Sequence, residues 1–268
     1  MAYRSNEIIA STANPLAKQI RSLQRRKGRQ QERAFVVEGF RAVEDALESG
    51  ATLRSLLLME SAARQRLGLQ WLDRSPRIAT DAVFRAISNV EEPQGILAVV
   101  EMPVWDTFEN WASRTGFAVI ADGLRDPGNM GTLLRSAAAA DVDYVAIADA
   151  SVDAFNPKVV RSAMGAHFRL PVYQTDRERI GAVLANVEQV VVAEADGDLG
   201  YDEIDFRRST ALVIGGEADG PLAPISHPNA VRVRIPLARD VESLNAGVAG
   251  SILMFEAARQ RRISRQLD

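Results

Sequence analysis

The sequence predicts two α/β domains in one chain, the second the larger. Three observations carry that expectation. Short, continuous apolar runs alternate with helix-like stretches, the pattern of parallel strands covered on both faces. The length of 268 residues suits one large domain or two modest ones. A stretch without periodicity, Glu101–Trp111, contains Pro103, two tryptophans and three acids, and it places the boundary so that the domains span 1–104 and 112–268.

In the first domain, Asn14-Pro15 offers a cap and a first-turn proline for a basic helix running to about Lys27, with Gly28 just beyond it. A second helix, from about Glu38 to Ser49, sets Phe40, Val43 and Leu47 on one stripe and stops at Gly50. Leu53–Met59 reads as a strand, Asp81–Ser88 as a short helix capped by Asp81, and Ile96–Val100 as a buried strand. Beyond the boundary, Phe117–Ala121 is a strand that leads through a Gly/Pro loop to a helix from about Asn129 to Ala140. Tyr144–Ala148, Val190–Ala193, Ala211–Ile214 and Val231–Ile235 are further strands. Pro157–Met164 is a helix, and a long final helix starts near Asn245 and runs to about Arg262.

Composition excludes several chemistries. With no cysteine there is no disulfide, thiolate metal site, iron–sulfur cluster or cysteine nucleophile. Two histidines, His167 and His227, cannot build a three-histidine metal centre, so no metal site is expected. The apolar stretches fall far short of the roughly 20 residues that cross a bilayer. Met1–Asn6 carries no apolar signal core, and a cytoplasmic protein with no membrane partner is expected. Net charge is −3, but its distribution is lopsided. Eight basic residues against two acids give Met1–Ala34 a charge of +6, which leaves −9 for the rest. Arg21, Arg25, Arg26, Lys27 and Arg29 form its densest part, readable as an RNA-binding arm or as a solvated basic helix.

Ligands of open parallel sheets gather at the carboxyl ends of the strands. Three loops there are rich in glycine, proline and polar residues: Asp122–Gly131, Gly215–Pro221 and Ile235–Asn245. Gly123, Gly128 and Gly131 have the wrong spacing for a dinucleotide fingerprint, which counts against a nicotinamide-dependent enzyme, and no Walker loop is present.

Taken in order, the loops resemble the three signature motifs of the SpoU family of RNA ribose 2′-O-methyltransferases, part of the SPOUT class. The first stands here as Asp126-Pro-Gly-Asn129-Met-Gly-Thr-Leu-Leu-Arg135 and the second as Ile214-Gly-Gly-Glu217-Ala-Asp-Gly220. The third is Ile235-Pro-Leu-Ala, followed by Glu242-Ser243-Leu244-Asn245-Ala-Gly-Val-Ala. Earlier in the chain, Phe35-Val-Val-Glu38-Gly and Pro93-Gln-Gly-Ile-Leu-Ala-Val look like the substrate-binding extension of that family, a domain similar to ribosomal protein L30e.

The resemblance implies an L30e-like α/β domain followed by an α/β-knot domain with a deep trefoil knot. It implies S-adenosyl-L-methionine as cofactor, held at Gly215, Gly216, Ile235 and Leu244. Gly215 and Gly216 would let the backbone approach the ligand without a Cβ in the way. Arg135 would face the ribose and phosphate of the target, while Asn129 orders the turn as a loop or cap residue. Glu217 would brace the Asn129 loop, and Ser243 and Asn245 would help to hold the ribose. Attack of a 2′-hydroxyl on the methylsulfonium needs a dry, positioned site and no metal. Arginine stays protonated in proteins, so binding phosphate and stabilising alkoxide charge suits Arg135 better than acting as a base. The expected substrate is 23S ribosomal RNA, with transfer RNA or a non-catalytic RNA-binding role as alternatives. The resemblance also implies a homodimer through the C-terminal domain, for which Ile252, Leu253 and Phe255 are candidates.

Overall fold

Ala34–Glu38 (β2) sends alternate side chains into two apolar layers, Ala34 and Val36 to one, Phe35 and Val37 to the other. In the computed structural model, which describes residues 8–65, 71, 74–112, 116–216, 228–239 and 241–264, β2 is an edge strand of a five-stranded sheet. The other strands are Ile8–Ile9 (β1), Leu53–Met59 (β3), Arg77–Ala79 (β4) and Ile96–Glu101 (β5), in the order β1-β4-β3-β5-β2. The strand β5 runs antiparallel to both neighbours, whereas β3, β4 and β1 are parallel. Phe35-Val-Val-Glu38 is therefore strand, and the helix expected from Glu38 begins at Phe40 (Phe40–Glu48, α3). The change of direction falls on Gly39, whose φ of 106° suits glycine.

The two segments that carry the first-domain resemblance meet here. Gln94 Oε1 accepts from the Phe40 amide at 3.0 Å, and Gly39 donates to the Ile96 carbonyl at 3.0 Å. Ser88 Oγ donates to Glu38 at 2.6 Å, while burial pushes the Glu38 carboxyl above its ordinary pKa.

The basic N-terminal helix is two helices, Pro15–Leu23 (α1) and Arg26–Glu32 (α2). Asn14 caps the first as expected, its side chain accepting from Leu16 at 2.9 Å. Gly28 is not a helix terminator. It lies inside α2, buried where α2 crosses α1, and a Cβ there would run into the Ser22 carbonyl oxygen. Gly28→Ala is expected to destabilise the protein by about 1–3 kcal/mol, the usual cost of overpacking, read as a lowered denaturation midpoint. An unchanged midpoint would mean that the helices separate at no cost. Farther along, beyond the short helix Glu60–Ala63 (α4), Asp81 is the first helical residue of Asp81–Ile87 (α5) and not its cap. Thr80 caps that helix, and Asp81 instead accepts from the Ser61 amide at 3.0 Å.

The chain divides into two compact units, Met1–Pro103 with Phe155–Phe168, and Val104–Ala154 with Arg169–Asp268. A linear boundary near residue 104 assigns the helix Pro157–Ala163 (α8) to the second domain, but it packs on β2 in the first unit. The reason is apolar: Phe155, Val160 and Phe168 cover the β2 face that bears Phe35 and Val37, and the Phe35 ring lies 5.0 Å from that of Phe155.

The second unit is a seven-stranded sheet in which every pairing is parallel. Its strands are Phe117–Asp122 (β6), Tyr144–Ala148 (β7), Val172–Thr175 (β8), Gln189–Ala193 (β9), Leu199–Gly200 (β10), Thr210–Gly215 (β11) and Ala230–Arg234 (β12). Their order is β10-β12-β9-β11-β6-β7-β8. Phe108, from Phe108–Ala112 (α6), and Ile180 and Leu184, from Arg177–Leu184 (α9), cover one face above Tyr144, Val190, Val192 and Val213. Pro127–Ala139 (α7) and Ala246–Ser264 (α10) pack together elsewhere in the unit, close enough at Gly250 that a Cβ would lie 2.5 Å from Leu133 Cδ1 and 3.4 Å from Ile214 Cγ1. Periodicity alone leaves β8, β10, α6 and α9 unmarked in this unit, and β1, β2 and β4 in the first. No helix among the described residues is long and apolar enough to cross a membrane.

Candidate active site

The adjacent strands β6 and β11 end side by side, with Asp122 opposite Gly215. The first loop leaves β6 at Gly123, whose φ of 82° turns the chain, and enters α7 at Asp126. Asp126 is the N-cap and accepts from the Asn129 amide at 2.8 Å. Asn129 is therefore the third residue of the helix, only 7% exposed, and not the loop or cap residue that the sequence suggests. Its side-chain oxygen accepts a hydrogen bond of 2.5 Å from Asn245 Nδ2. Asn245 in turn caps α10, its own oxygen accepting from Val248 at 3.2 Å. One asparagine pair thus ties the first motif to the third across 116 residues of chain.

The pair is held by close packing between α7 and α10. A Cβ on Gly247 would stand 3.0 Å from the Asn129 carbonyl oxygen, and Ser136 and Ser251 share a 2.7 Å hydrogen bond farther along. Gly216 serves the same end between strands and loop. A Cβ there would lie 2.6 Å from the Gly123 carbonyl oxygen, so contact between the first two loops by itself requires glycine at this position.

Beside these motifs lies a cavity of about 450 Å³. Gly215, Gly216, Ile235, Ser243 and Leu244 all line it, with Ile214 and Leu253 extending the apolar wall. Three charged lining residues fall outside the motifs and were not expected from the sequence: Glu194 and Asp196, just beyond β9, and Arg232 on β12. Arg232 pairs with Glu194 and donates to Asp196 Oδ1 at 2.7 Å. A signal for them exists, because the end of β9 is another carboxyl end of a parallel strand, and Arg232 and Arg234 alternate with Val231, Val233 and Ile235.

Arg135 is not part of the cavity wall. It is exposed on α7 and makes no hydrogen bond or ion pair with another described residue. Glu217 lies outside the described residues. Among the candidate RNA contacts, Arg21, Arg25, Arg26 and Lys27 are exposed. Arg29 departs from them. It is 3% exposed and donates to the Leu23 carbonyl at 2.8 Å, closing the end of α1 from inside the unit.

An all-parallel sheet with a glycine-edged cavity at its strand ends, and an asparagine pair joining two helix starts beside it, fits a SPOUT-class methyltransferase fold. A crystal structure of an RNA 2′-O ribose methyltransferase matches it with a TM-score of 0.80 at 30% identity, over 95% of this chain and 99% of that one. The chain belongs to the SpoU rRNA Methylase family, which residues 116–255 match, while residues 14–98 match the MRM3-like substrate binding domain.

Among curated relatives, the 23S rRNA (guanosine(2553)-2′-O)-methyltransferase RlmP of Bacillus subtilis is 32% identical over 92% of this chain and 97% of its own length. The SpoU methyltransferase AviRb of Streptomyces viridochromogenes, crystallised in complex with the cofactor AdoMet, has a TM-score of 0.77 at 30% identity, over 94% of this chain and 99% of that one.

Proposed function

We propose that this chain transfers the methyl group of S-adenosylmethionine to a ribose 2′-hydroxyl of 23S ribosomal RNA. The observation that carries the reading is the convergence of the three motifs: the Asn245–Asn129 bond beside a cavity walled by Gly215, Ile235 and Leu244. The cavity suits the cofactor. Its volume of about 450 Å³ falls in the range of roughly 300–1,000 Å³ common for small-molecule sites. Ile235, Leu237 and Leu244 offer apolar surface for an adenine, and the strand ends offer main-chain groups. The relatives described above act on 23S ribosomal RNA or bind AdoMet by their names, and both properties are proposed here for this chain.

When bound, S-adenosylmethionine supplies an electrophilic methyl group on a sulfonium. The protein orients and excludes water. Asn129 and Asn245 hold the starts of α7 and α10 in fixed register, so that Ser243 and Leu244 stand in the wall of the cavity. Arg135 binds a phosphate of the target and stabilises the alkoxide charge that develops on the hydroxyl. The hydroxyl proton leaves to phosphate or water.

The test is methyl transfer from radiolabelled S-adenosylmethionine to ribosomal RNA, with the ribose methylation of 23S RNA mapped in cells with and without the gene. Label confined to transfer RNA, or no label at all, would overturn the reading.

The same reading includes a knotted backbone, with the chain after about Ala211 threaded through a loop, and a homodimer through α10. An experimental chain trace that pulls straight would remove the knot. In support of the dimer, Phe255 is 51% exposed, Val248 is exposed seven residues earlier on the same helix stripe, and Ile252 is half-buried between them. Leu253 is excluded from that surface, because it is fully buried against its own unit. Phe255→Glu is expected to halve the light-scattering mass, from twice the chain mass of 29.2 kDa to that mass. A wild-type protein already monomeric at micromolar concentration would contradict the dimer.

A further inference from the structure

We propose that the wall of the cofactor cavity discriminates by charge, retaining cationic S-adenosylmethionine over neutral S-adenosylhomocysteine, and that Glu194 and Asp196 are the residues that do so. The inference rests on the cofactor reading above.

Three charged side chains line the cavity, Glu194, Asp196 and Arg232. They sit on neighbouring parallel strands, where Arg232 lies across from Val192 in register and the two acids follow the end of β9. Arg232 Nε donates to Glu194 Oε2, and its Nη2 donates to Asp196 Oδ1 at 2.7 Å. Asp198 stands 3.9 Å from the same guanidinium. Arg234, the next cation on β12, is turned away to the carbonyls of Gly197 and Asp198, at 2.6 and 2.9 Å. One guanidinium therefore answers two carboxylates in the wall, and the described lining carries a net charge of −1. The Arg232 hydrogen bond holds the Asp196 carboxyl below its ordinary range.

The two ligands differ in this respect. S-adenosylmethionine bears a sulfonium, an ammonium and a carboxylate, so its charge is +1. Transfer of the methyl group removes the sulfonium charge and leaves a neutral product. Apart from that charge they differ by one methyl group, which an apolar site distinguishes weakly. An acidic wall adds attraction that only the methyl donor feels, and it vanishes on turnover. At the effective dielectric of a partly exposed site, one such charge changes the affinity ratio by about three- to tenfold.

The experiment is calorimetric titration of the full-length protein with S-adenosylmethionine, S-adenosylhomocysteine and sinefungin, whose protonated amine replaces the sulfonium. Glu194→Gln keeps an acceptor for Arg232 but removes the charge. Its expected effect is a fall of about three- to tenfold in the preference for S-adenosylmethionine over S-adenosylhomocysteine, with sinefungin weakening in step with the methyl donor. Asp196→Asn is the second variant should Glu194→Gln unfold, because Asp196 is exposed and its loss leaves the Glu194 pair intact. An unchanged preference in variants that bind both ligands would overturn the proposal. So would a loss confined to S-adenosylmethionine with sinefungin unmoved, since the wall would then sense the methyl group and not the charge. Wild-type protein that binds none of the three ligands would overturn the cofactor reading itself, and this inference with it.

Discussion

Arg135→Ala is expected to lower the rate of methyl transfer by about 10²–10³-fold, the usual cost of deleting one donor to a developing oxyanion, and to leave S-adenosylmethionine affinity nearly unchanged. Two observations separate the effects. Arg135 does not line the cavity, so its removal takes nothing from the cofactor. It is exposed and bonds to no other described residue, so its removal strands no buried partner. Stability should change by no more than about 0.5 kcal/mol, as for ordinary surface substitutions. Arg135→Lys is the informative companion, because it keeps the charge but not the planar fork that grips a phosphate with two bonds. Partial activity in the lysine variant, with kcat reduced and KM for the cofactor unmoved, is the expected result. Single-turnover kinetics and calorimetry on one preparation measure both quantities. Collapse of cofactor affinity together with rate would make Arg135 a cofactor or structural residue.

The second large effect is expected at the N-terminal arm. Replacing Arg25, Arg26 and Lys27 together by alanine should weaken RNA binding and flatten its salt dependence by about two to three units of log affinity per decade of salt, close to one for each phosphate that the variant no longer neutralises. These side chains reach the surface and form no ion pair with another described residue. They crowd the start of α2, whose first turn holds no acid. Cations at a helix start oppose its dipole, so the cluster does not serve the stability of that helix. The triple variant should keep its thermal midpoint and its cofactor affinity, with KM for RNA raised and kcat preserved at saturation. Arg29 is left out of the variant because it is a buried structural arginine bonded to the Leu23 carbonyl. An unchanged salt slope would make the arm a solvated helix and move RNA selection to the body of the first unit.

Much of the candidate site was legible in the chain. Glycine and asparagine in a fixed order at strand ends state local needs, tight turns, caps and close approaches, and those needs are met within a few residues. Gly215, Ile235, Ser243 and Leu244, drawn from the second and third motifs, all line one cavity. The strands of the second sheet were legible for the same reason, since a strand buried on both faces must be apolar at every position, as Tyr144–Ala148 is.

Other features needed partners far away in sequence. A basic run does not state which arginine turns inward. Arg29 does so because the break between α1 and α2 leaves the Leu23 carbonyl for it to bond, and Gly28 lets the two helices touch. Periodicity marks Pro157–Ala163 as a helix but does not say that β2, more than a hundred residues earlier, offers the apolar face it covers. Asp126 takes the cap that Asn129 looks suited for, and Asn129 is left to bond Asn245, 116 residues away. Glu194 and Arg232 look like ordinary surface charges until β9 and β12 pair and set both into the cavity wall. The sequence by itself determined the two α/β domains, the central strands of the second sheet and the three motifs, because backbone preference and burial pattern act between near neighbours. Only the tertiary structure decided which charges face a ligand and which segment covers which sheet, because desolvation and pairing depend on groups that the chain brings together after it folds.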